Sequence, residues 1–502
     1  MKTLSNNNFL SGLLKLLMIF FLIPEITYSQ GQDKLWLMGY GCCSTNFTGY
    51  NMDFRSGSLS IYPVQRYFNF ACTNGQISDS NGNTLFYSNG IYIANTLGDT
   101  MLNGSGINPS SYTTSHSQYG LLIPQGNLVI PFPNDSTKYY LFHETSDDQG
   151  GTYASVYLYY SVIDMTLDGG KGGVIQKNTV LLNDSLVVGR LTASKHANGR
   201  DWWIFSHQFH SSLQYRYLVT PSGIIGPWID DLQTWRGNYP GQACFSEDGN
   251  KYVYFEPFGG LDIWDFDRCT GLFDNLIHVD IVDSGGAGGV AFSRSGRFLY
   301  VSKIYFLYQF DLFASDVPMS KLLIATYDGF VDPPGVPTVF YLQKLAPDDK
   351  IYMVSSSTVY NIHAINSPDS LGLACDFQQH SVHLPGYNGL TLPNFPNYFL
   401  GAVGSSICDS LPTAIREPAS FKSSFEVFPN PVQRLMYIMG SSKEKVESIR
   451  LINSIGQLMK QNFTSIKNEE YLEEDLSGLS SGIYYLEIKT AKQRIVKKVV
   501  KE

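Results

Sequence analysis

Polar and apolar positions recur along most of this chain in one fixed order. A turn rich in Asn, Asp and Gly is followed by a run of aromatic and β-branched residues. The first clear copy is Ser80-Asn81-Gly82-Asn83-Thr84-Leu85-Phe86-Tyr87, and the order returns at Asn134–Phe142, Ala197–Phe205, Phe245–Tyr254, Phe292–Val301 and Leu345–Val354. The turn residues tolerate positive φ or bond to their own backbone, and the residues after them favour strands, so each copy predicts a hairpin. With Gly82, Thr137, Gly199, Gly249, Gly296 and Asp349 taken as equivalent, the intervals are 55, 62, 50, 47 and 53 residues. That is the spacing of propeller blades. One such sheet cannot bury both of its faces, whereas sheets stacked in a ring bury each other's. The period over residues 30–403 predicts an all-β fold, a β-propeller of about seven blades. Six are visible directly, and the seventh would join Leu390–Leu400 to the strand near Leu35–Tyr40 and so close the ring.

The pattern changes after Gly401. Residues up to Ser424 are rich in Ser, Pro and small side chains and predict a linker over 404–424. Alternation resumes at Phe425–Val432, where Pro429 and Pro431 cannot donate to a ladder and must interrupt pairing. Further alternating runs at Leu435–Ile438, Ser448–Ile452, Leu458–Met459, Ile483–Ile488 and Arg494–Lys501 predict about seven short strands. They suit a small antiparallel, Ig-like β-sandwich over 425–502.

A chain of 502 residues exceeds one ordinary core, which agrees with two folded domains. The net charge of −9 is unevenly placed: residues 422–502 carry 13 Lys and Arg against 10 Asp and Glu, and the rest carry 22 against 34. An acidic main body argues against nucleic acid as a partner, since phosphate binding needs clustered cations. Residues 1–29 read as a signal peptide. Lys2 and Lys15 precede the apolar run Leu16–Ile23, Pro24 breaks it, and Thr27-Tyr28-Ser29 supplies small residues before Gln30, which predicts cleavage between Ser29 and Gln30. The run is too short to span a bilayer, and no other segment of the mature chain is long and apolar enough. Seven cysteines follow the cleavage point: Cys42, Cys43, Cys72, Cys244, Cys269, Cys375 and Cys408. Export permits disulfides, burial as thiols is the other reading, and the odd count leaves one free or paired between molecules.

The wording of the repeats resembles the secreted propellers of gliding Gram-negative bacteria that use type IX secretion. The stretches that carry this are Cys72–Gly90, Tyr160–Gly170, Lys195–Gly199, Phe266–Gly271 and Leu392–Phe399. The tail resembles the type A C-terminal sorting domain of type IX substrates. The matching residues are Pro429, Asn430, Pro431, the turn from Asn453 to Gly456, Gly482 and Tyr484, with Lys497 and Lys498 in a basic last strand. The resemblance implies a chain exported through the periplasm and read by the outer-membrane type IX translocon. The tail is then removed, and the cargo is released outside or attached to surface lipopolysaccharide.

Local chemistry is sparse. His207 with His210 and His380 with His383 have a spacing that puts them on opposite faces of a strand, which is poor for chelation. His143-Glu144 beside Asp147-Asp148 has acid–base groups, but a loop of solvated charges accounts for them. Asp79-Ser80-Asn81-Gly82-Asn83 has oxygen spacing like a calcium loop without its later ligands, and an Asx turn explains it. Asp262–Asp267 alternates acid and apolar residues as a half-buried strand does. Gly285–Gly289 lacks the Lys-Ser/Thr of a phosphate loop and suits entry into a crowded inner strand. HExxH does not occur. No catalytic, metal or cofactor residue is expected. The reading is an exported propeller that binds a glycan or protein ligand. A propeller enzyme, a lyase or glycoside hydrolase with acids from several blades, stays open because such sites gather residues far apart in sequence, as does a purely structural surface-layer role.

Overall fold

The alternation is realised as successive antiparallel meanders. The structure, a computed structural model, describes residues 31–41, 47–148, 153–237, 239–333, 335–404, 408, 425–440, 446–453, 457–461, 471–490 and 494–502. The expected cleavage point at Ser29 and Gln30, the cysteines Cys42 and Cys43, residues 409–424 of the expected linker, and Gly456 lie outside the described residues. The chain divides into two compact units, Met1–Leu411 and Pro412–Glu502.

In the first unit the sheets follow chain order. The first has three strands, Leu35–Gly39, Gly49–Asp53 and Ser60–Val64. The following sheets run from Gly75–Ser78 to Thr100–Ser105, Asn127–Phe132 to Gly173–Leu186, Thr192–Lys195 to Gly223–Asp231, Gln242–Phe245 to Leu272–Val279, Gly289–Phe292 to Leu322–Thr326, and Gln343–Leu345 to Phe377–Asn388. The second and third touch edge to edge through one parallel pair, Leu102 and Gly173. Burial falls from first strand to last: Gly289–Phe292 is buried at every position, while Leu322–Thr326 is mostly exposed. First strands of neighbouring sheets are in contact, as Gln242–Phe245 and Gly289–Phe292 are. Inner strands around an axis and outer strands in water make a β-propeller.

The polar turns close the hairpin between the first and second strands of the second to seventh sheets. Gly82, Gly199, Gly249, Gly296 and Asp349 all have φ between 64° and 81°. The third sheet departs from the expected alignment. Its positive φ is at Asn134, 65°, and not at Thr137, because Phe132 already pairs with Asp135 across a two-residue loop. Crowding of the inner strands is visible at Gly289, where a Cβ would lie 2.5 Å from Gln242 Oε1 and 2.8 Å from Leu342 Cα.

The expected strand closure between Leu390–Leu400 and Leu35–Tyr40 does not occur. Leu35–Gly39 pairs along its length with Gly49–Asp53, and 390–400 is not a strand. Pro393 and Pro396 remove two of the N–H groups a ladder would need. A side chain serves instead: Gln76 Oε1 accepts from Leu37 N at 2.8 Å and its Nε2 donates to Leu37 O at 3.0 Å. The two ends of the body meet through packing. The rings of Trp36 and Phe54 lie 6.3 and 5.9 Å from Tyr352 in the last sheet, and Tyr50 donates to Asn388 Oδ1 at 2.9 Å. Of the cysteines, Cys269 and Cys408 form a disulfide, whereas Cys72, Cys244 and Cys375 are thiols.

The second unit has two antiparallel sheets. One joins Phe425–Phe428, Leu435–Gly440 and Tyr471–Asp475. The other is ordered Leu458–Gln461, Val446–Asn453, Gly482–Thr490 and Arg494–Lys501. Met436 and Ile438 from one sheet and Leu451, Leu486, Ile488 and Val499 from the other share a buried core, the layering of a sandwich.

Candidate functional site

From the second sheet on, each first strand ends at a polar hairpin turn, so the axis of the body has a hairpin end and, opposite it, a loop end where one sheet passes to the next. The segment after the last sheet runs between them. Leu390 N donates to Ala71 O at the loop end, 2.8 Å. Asn394 N donates to Asn74 O, 3.0 Å, and its Nδ2 to both Asn127 O and Leu191 O, 3.0 Å each. Tyr398 OH donates to Val129 O at 2.9 Å, and Asn397 Nδ2 to Glu247 O at 2.8 Å. Val403 N reaches Ala197 O in a hairpin turn, 2.8 Å. The segment thus fills the axis, which keeps a cavity of about 90 Å³ beside it.

The loop end opens into a larger cavity of about 480 Å³, whose wall includes Tyr112, His116, Ser146, Arg190, Tyr239 and Tyr341. A single-turn helix, Ser111–Ser115, is capped by Ser110, whose Oγ accepts from Thr113 N at 2.9 Å. It stacks the rings of Tyr112 and His116 at 4.0 Å. Arg190 comes from the passage between the third and fourth sheets and is 2% exposed. Its Nη2 donates to Tyr239 O, its Nη1 donates to Gly237 O at 3.4 Å, and the guanidinium lies 4.9 Å from the Tyr254 ring centroid. No carboxylate lines this cavity among the described residues.

Three buried acids, Glu144, Glu256 and Asp262, lie in the neighbouring sheets. Glu144 accepts from Gly189 N, and burial pushes its carboxyl well above the usual range while Arg190 opposes that. Asp262 pairs with Arg236 at 2.8 Å, and that guanidinium sits 4.2 Å from the Tyr254 ring centroid. Glu144 Oε2, Arg190 Nε, Ser146 Oγ and Arg236 Nη2 are buried without a hydrogen-bond partner in the protein. Such groups are costly unless solvent or a ligand meets them.

The candidates named from sequence are mostly structural. His143 and Glu144 are fully buried, so they are not solvated loop charges. His143 bonds to Asn108 Oδ1 at 2.7 Å and Ser161 Oγ at 2.9 Å, and burial lowers its pKa to about 3. His207 is buried against the Tyr252 hydroxyl, 2.9 Å, while His210 stacks on Trp235. His380 pairs with Asp328 and His383 bonds to Asn361, both at 3.0 Å. Asp79 Oδ1 accepts from Asn81 N and Asn83 N, both 2.8 Å, as an Asx turn does. Asp262 breaks the expected alternation, because Arg236 draws it inward; Asp265 and Asp267 stay outward. Arg190, Tyr239, Tyr112 and His116 carried no local signal, being loop residues brought together only by the ring.

In the sandwich, Asn430 Nδ2 donates to Lys498 O and its Oδ1 accepts from Val500 N, both 2.8 Å, between Pro429 and Pro431. Asn453 Oδ1 accepts from Gln457 N at 2.8 Å across the turn. Gly482 opens its strand, and Tyr484 is buried with its hydroxyl donating to Ser480 O at 2.8 Å. Lys497 and Lys498 face Leu486 and Tyr485 in the last strand pair.

Residues 426–502 match the family described as the secretion system C-terminal sorting domain. The chain therefore carries a type IX sorting domain and is delivered to the cell surface or beyond it. No curated protein matches the chain. Solved structures that resemble it include a candidate 6-phosphogluconolactonase of Bacteroides fragilis NCTC 9343, 10% identical over 73% of this chain and 99% of that one, with a TM-score of 0.40. Another is a protein of Lactobacillus plantarum, 12% identical over 72% and 98%, TM-score 0.38. A third is the Dos1 propeller, 13% identical over 64% and 74%, TM-score 0.34. These likenesses are too remote to carry an activity across.

Proposed function

We propose that the body of this chain is an exported binding protein, a seven-bladed propeller whose ligand enters the loop-end cavity. The division follows from that reading: signal peptide 1–29, propeller 30–403, linker 404–424 and sorting domain 425–502. The tail is read by the type IX translocon and removed, and the body is released or held on surface lipopolysaccharide. The observation that supports binding is the wall of the cavity, which Tyr112, His116, Tyr239 and Tyr341 share with one guanidinium, Arg190, with no carboxylate among the described residues. Its volume of about 480 Å³ falls within the range of ligand sites. Aromatic rings with one fixed polar anchor suit the end of a glycan or a protein side chain. Acid–base hydrolysis needs paired carboxyl groups at the opening, and this wall offers none.

The test uses the secreted form on glycan arrays and on surface proteins of the producing cells. Tyr239→Ala and Arg190→Gln, each compared at matched Tm, are expected to weaken retained binding at least tenfold, about 1.4 kcal/mol. Binding that survives both substitutions would place the ligand elsewhere.

A further inference from the structure

The hairpin end of the axis holds a third cavity, of about 300 Å³. Separate pieces of chain build it. Asp33 precedes the first strand, Glu247 and Arg294 sit in the polar turns of the fifth and sixth sheets, Lys344 lies in the last sheet, and Phe395 and Phe399 belong to the axial segment. Some of these groups are already committed. Arg294 pairs with Glu247 and Asp349, both at 2.6 Å, and Asn397 ties Glu247 O to Phe399 N. Others retain capacity. Asp33 Oδ1 is shielded from solvent and accepts no hydrogen bond. The Lys344 ammonium, with three donors, gives one to Phe395 O at 3.0 Å.

Both groups are partly buried in the cavity wall. Burial raises the Asp33 carboxyl to about 6 and lowers the Lys344 ammonium, each group partly offsetting the other's shift. An acceptor and a donor thus line one shielded cavity, charges of both signs are present in it, and rings form another part of the wall. A neutral ligand with adjacent hydroxyls and an apolar face matches that set. One hydroxyl donates to the carboxylate, its neighbour accepts from the ammonium, and C–H groups pack on the ring.

We infer that the hairpin-end cavity is a carbohydrate subsite for one neutral pyranose unit, held by Asp33 and Lys344 with Phe395 and Phe399 against its C–H face. It is separate from the loop-end cavity and does not depend on what binds there. A buried carboxylate oxygen without a donor is unfavourable, and a sugar hydroxyl relieves that cost. An analogue lacking the hydroxyl should be rejected for the same reason.

The test is calorimetric titration of the mature secreted chain with methyl α-glucoside, methyl α-galactoside and methyl α-mannoside, and with maltotriose and cellotriose. The expected result is saturable binding of at least one glycoside. A trisaccharide that binds where the methyl glycosides do not would identify the end of a longer glycan as the source of the unit. Asp33→Asn should weaken binding at least tenfold, about 1.4 kcal/mol, with Tm unchanged, and is measured beside Tyr239→Ala, which reports any separate binding at the loop end. If Asp33→Asn lowers Tm, Phe399→Ala is the second variant, with the same expected loss. No binding by any of the five sugars, or binding that is untouched by both hairpin-end variants, overturns the inference. So does binding lost only in Tyr239→Ala.

Discussion

Asn394 donates its carboxamide to Asn127 O at 3.0 Å across 267 residues of sequence. The same nitrogen reaches Leu191 O, and Gln125 Nε2 donates to the Asn394 oxygen at 3.2 Å. One side chain on the axis therefore satisfies backbone groups of the third sheet and of the passage into the fourth. Asn394→Ala leaves two carbonyls unmet in a buried place and is expected to cost about 2–4 kcal/mol. Urea denaturation of the mature chain measures it. Asn394→Asp should be no better, because a carboxylate has no N–H to give.

The disulfide anchors the same segment further on. Cys269 and Cys408 are 139 residues apart, and Arg268 Nη2 donates to Gly401 O at 2.7 Å beside it. Closing a loop of that length is worth up to about 5 kcal/mol in the chain-entropy account. Cys269→Ser, Cys408→Ser and the double variant should lose the same stability, and reductant should bring the unaltered chain down to their midpoint. A double variant well below either single one would contradict this.

The hairpins were legible because their signal is local: a turn that needs positive φ at Gly82 or Gly249 followed by an apolar run. The axial role of Asn394 was not. Leu392–Phe399 has the apolar content of an inner strand, and nothing local says that Pro393 and Pro396 leave its bonding to side chains. The loop-end wall was illegible for a related reason. Arg190 and Tyr239 are ordinary loop residues until the ring sets them side by side. The sorting tail was readable because its residues act on one short, nearly contiguous fold. His143 and Glu144 were misjudged as solvated, since polarity at a strand end does not reveal that Asn108 and Ser161 meet the imidazole and Gly189 the carboxylate.

Arg236 and Asp262 form an ion pair with side chains 1% and 3% exposed. Removing one partner strands the other charge out of water. Asp262→Asn is expected to destabilise by about 3–5 kcal/mol, and Arg236→Met with Asp262→Leu together by less than either alone. Thermal unfolding of the two singles and the double checks the order. A strictly additive result would mean that the pair is not coupled.

The same aspartate gives the fold a pH dependence. His278 Nδ1 lies 2.6 Å from Asp262 Oδ1, and its Nε2 lies 3.3 Å from Asp280. Partial burial resists charging of the imidazole, but the two carboxylates outweigh it, and the pKa is raised above 6.5. Arg236, on the far side of Asp262, opposes them at longer range. A raised pKa means that folding favours the protonated ring. Its contribution is therefore fully present below about pH 6.5 and fades as pH rises through the folded value. His278→Gln should flatten the midpoint between about pH 6 and 8. Chemical denaturation across that range reads the difference, and an unchanged slope in the variant would remove His278 as its source.

The tail offers the sharpest test of export. Its last strand, Arg494–Lys501, lies at a sheet edge and has one full strand partner, Gly482–Thr490. On the open side Val432 N donates to Val500 O at 2.8 Å, and Asn430 bonds to both Lys498 and Val500. Pro429 and Pro431 have no N–H to offer, so the Asn430 carboxamide supplies the donor and the acceptor that the backbone there does not. Asn430→Ala removes both bonds, at about 1–3 kcal/mol, and loosens the strand that presents Lys497 and Lys498. Secreted yield should fall and periplasmic chain accumulate, approaching the outcome of deleting 425–502, while the Tm of the body stays unchanged. Asn430→Gln, with the same groups on a longer stem, should not restore the register of both bonds. Full export of Asn430→Ala, with its sandwich shown to be loosened, would mean that the translocon reads the sequence of the tail and not its folded edge.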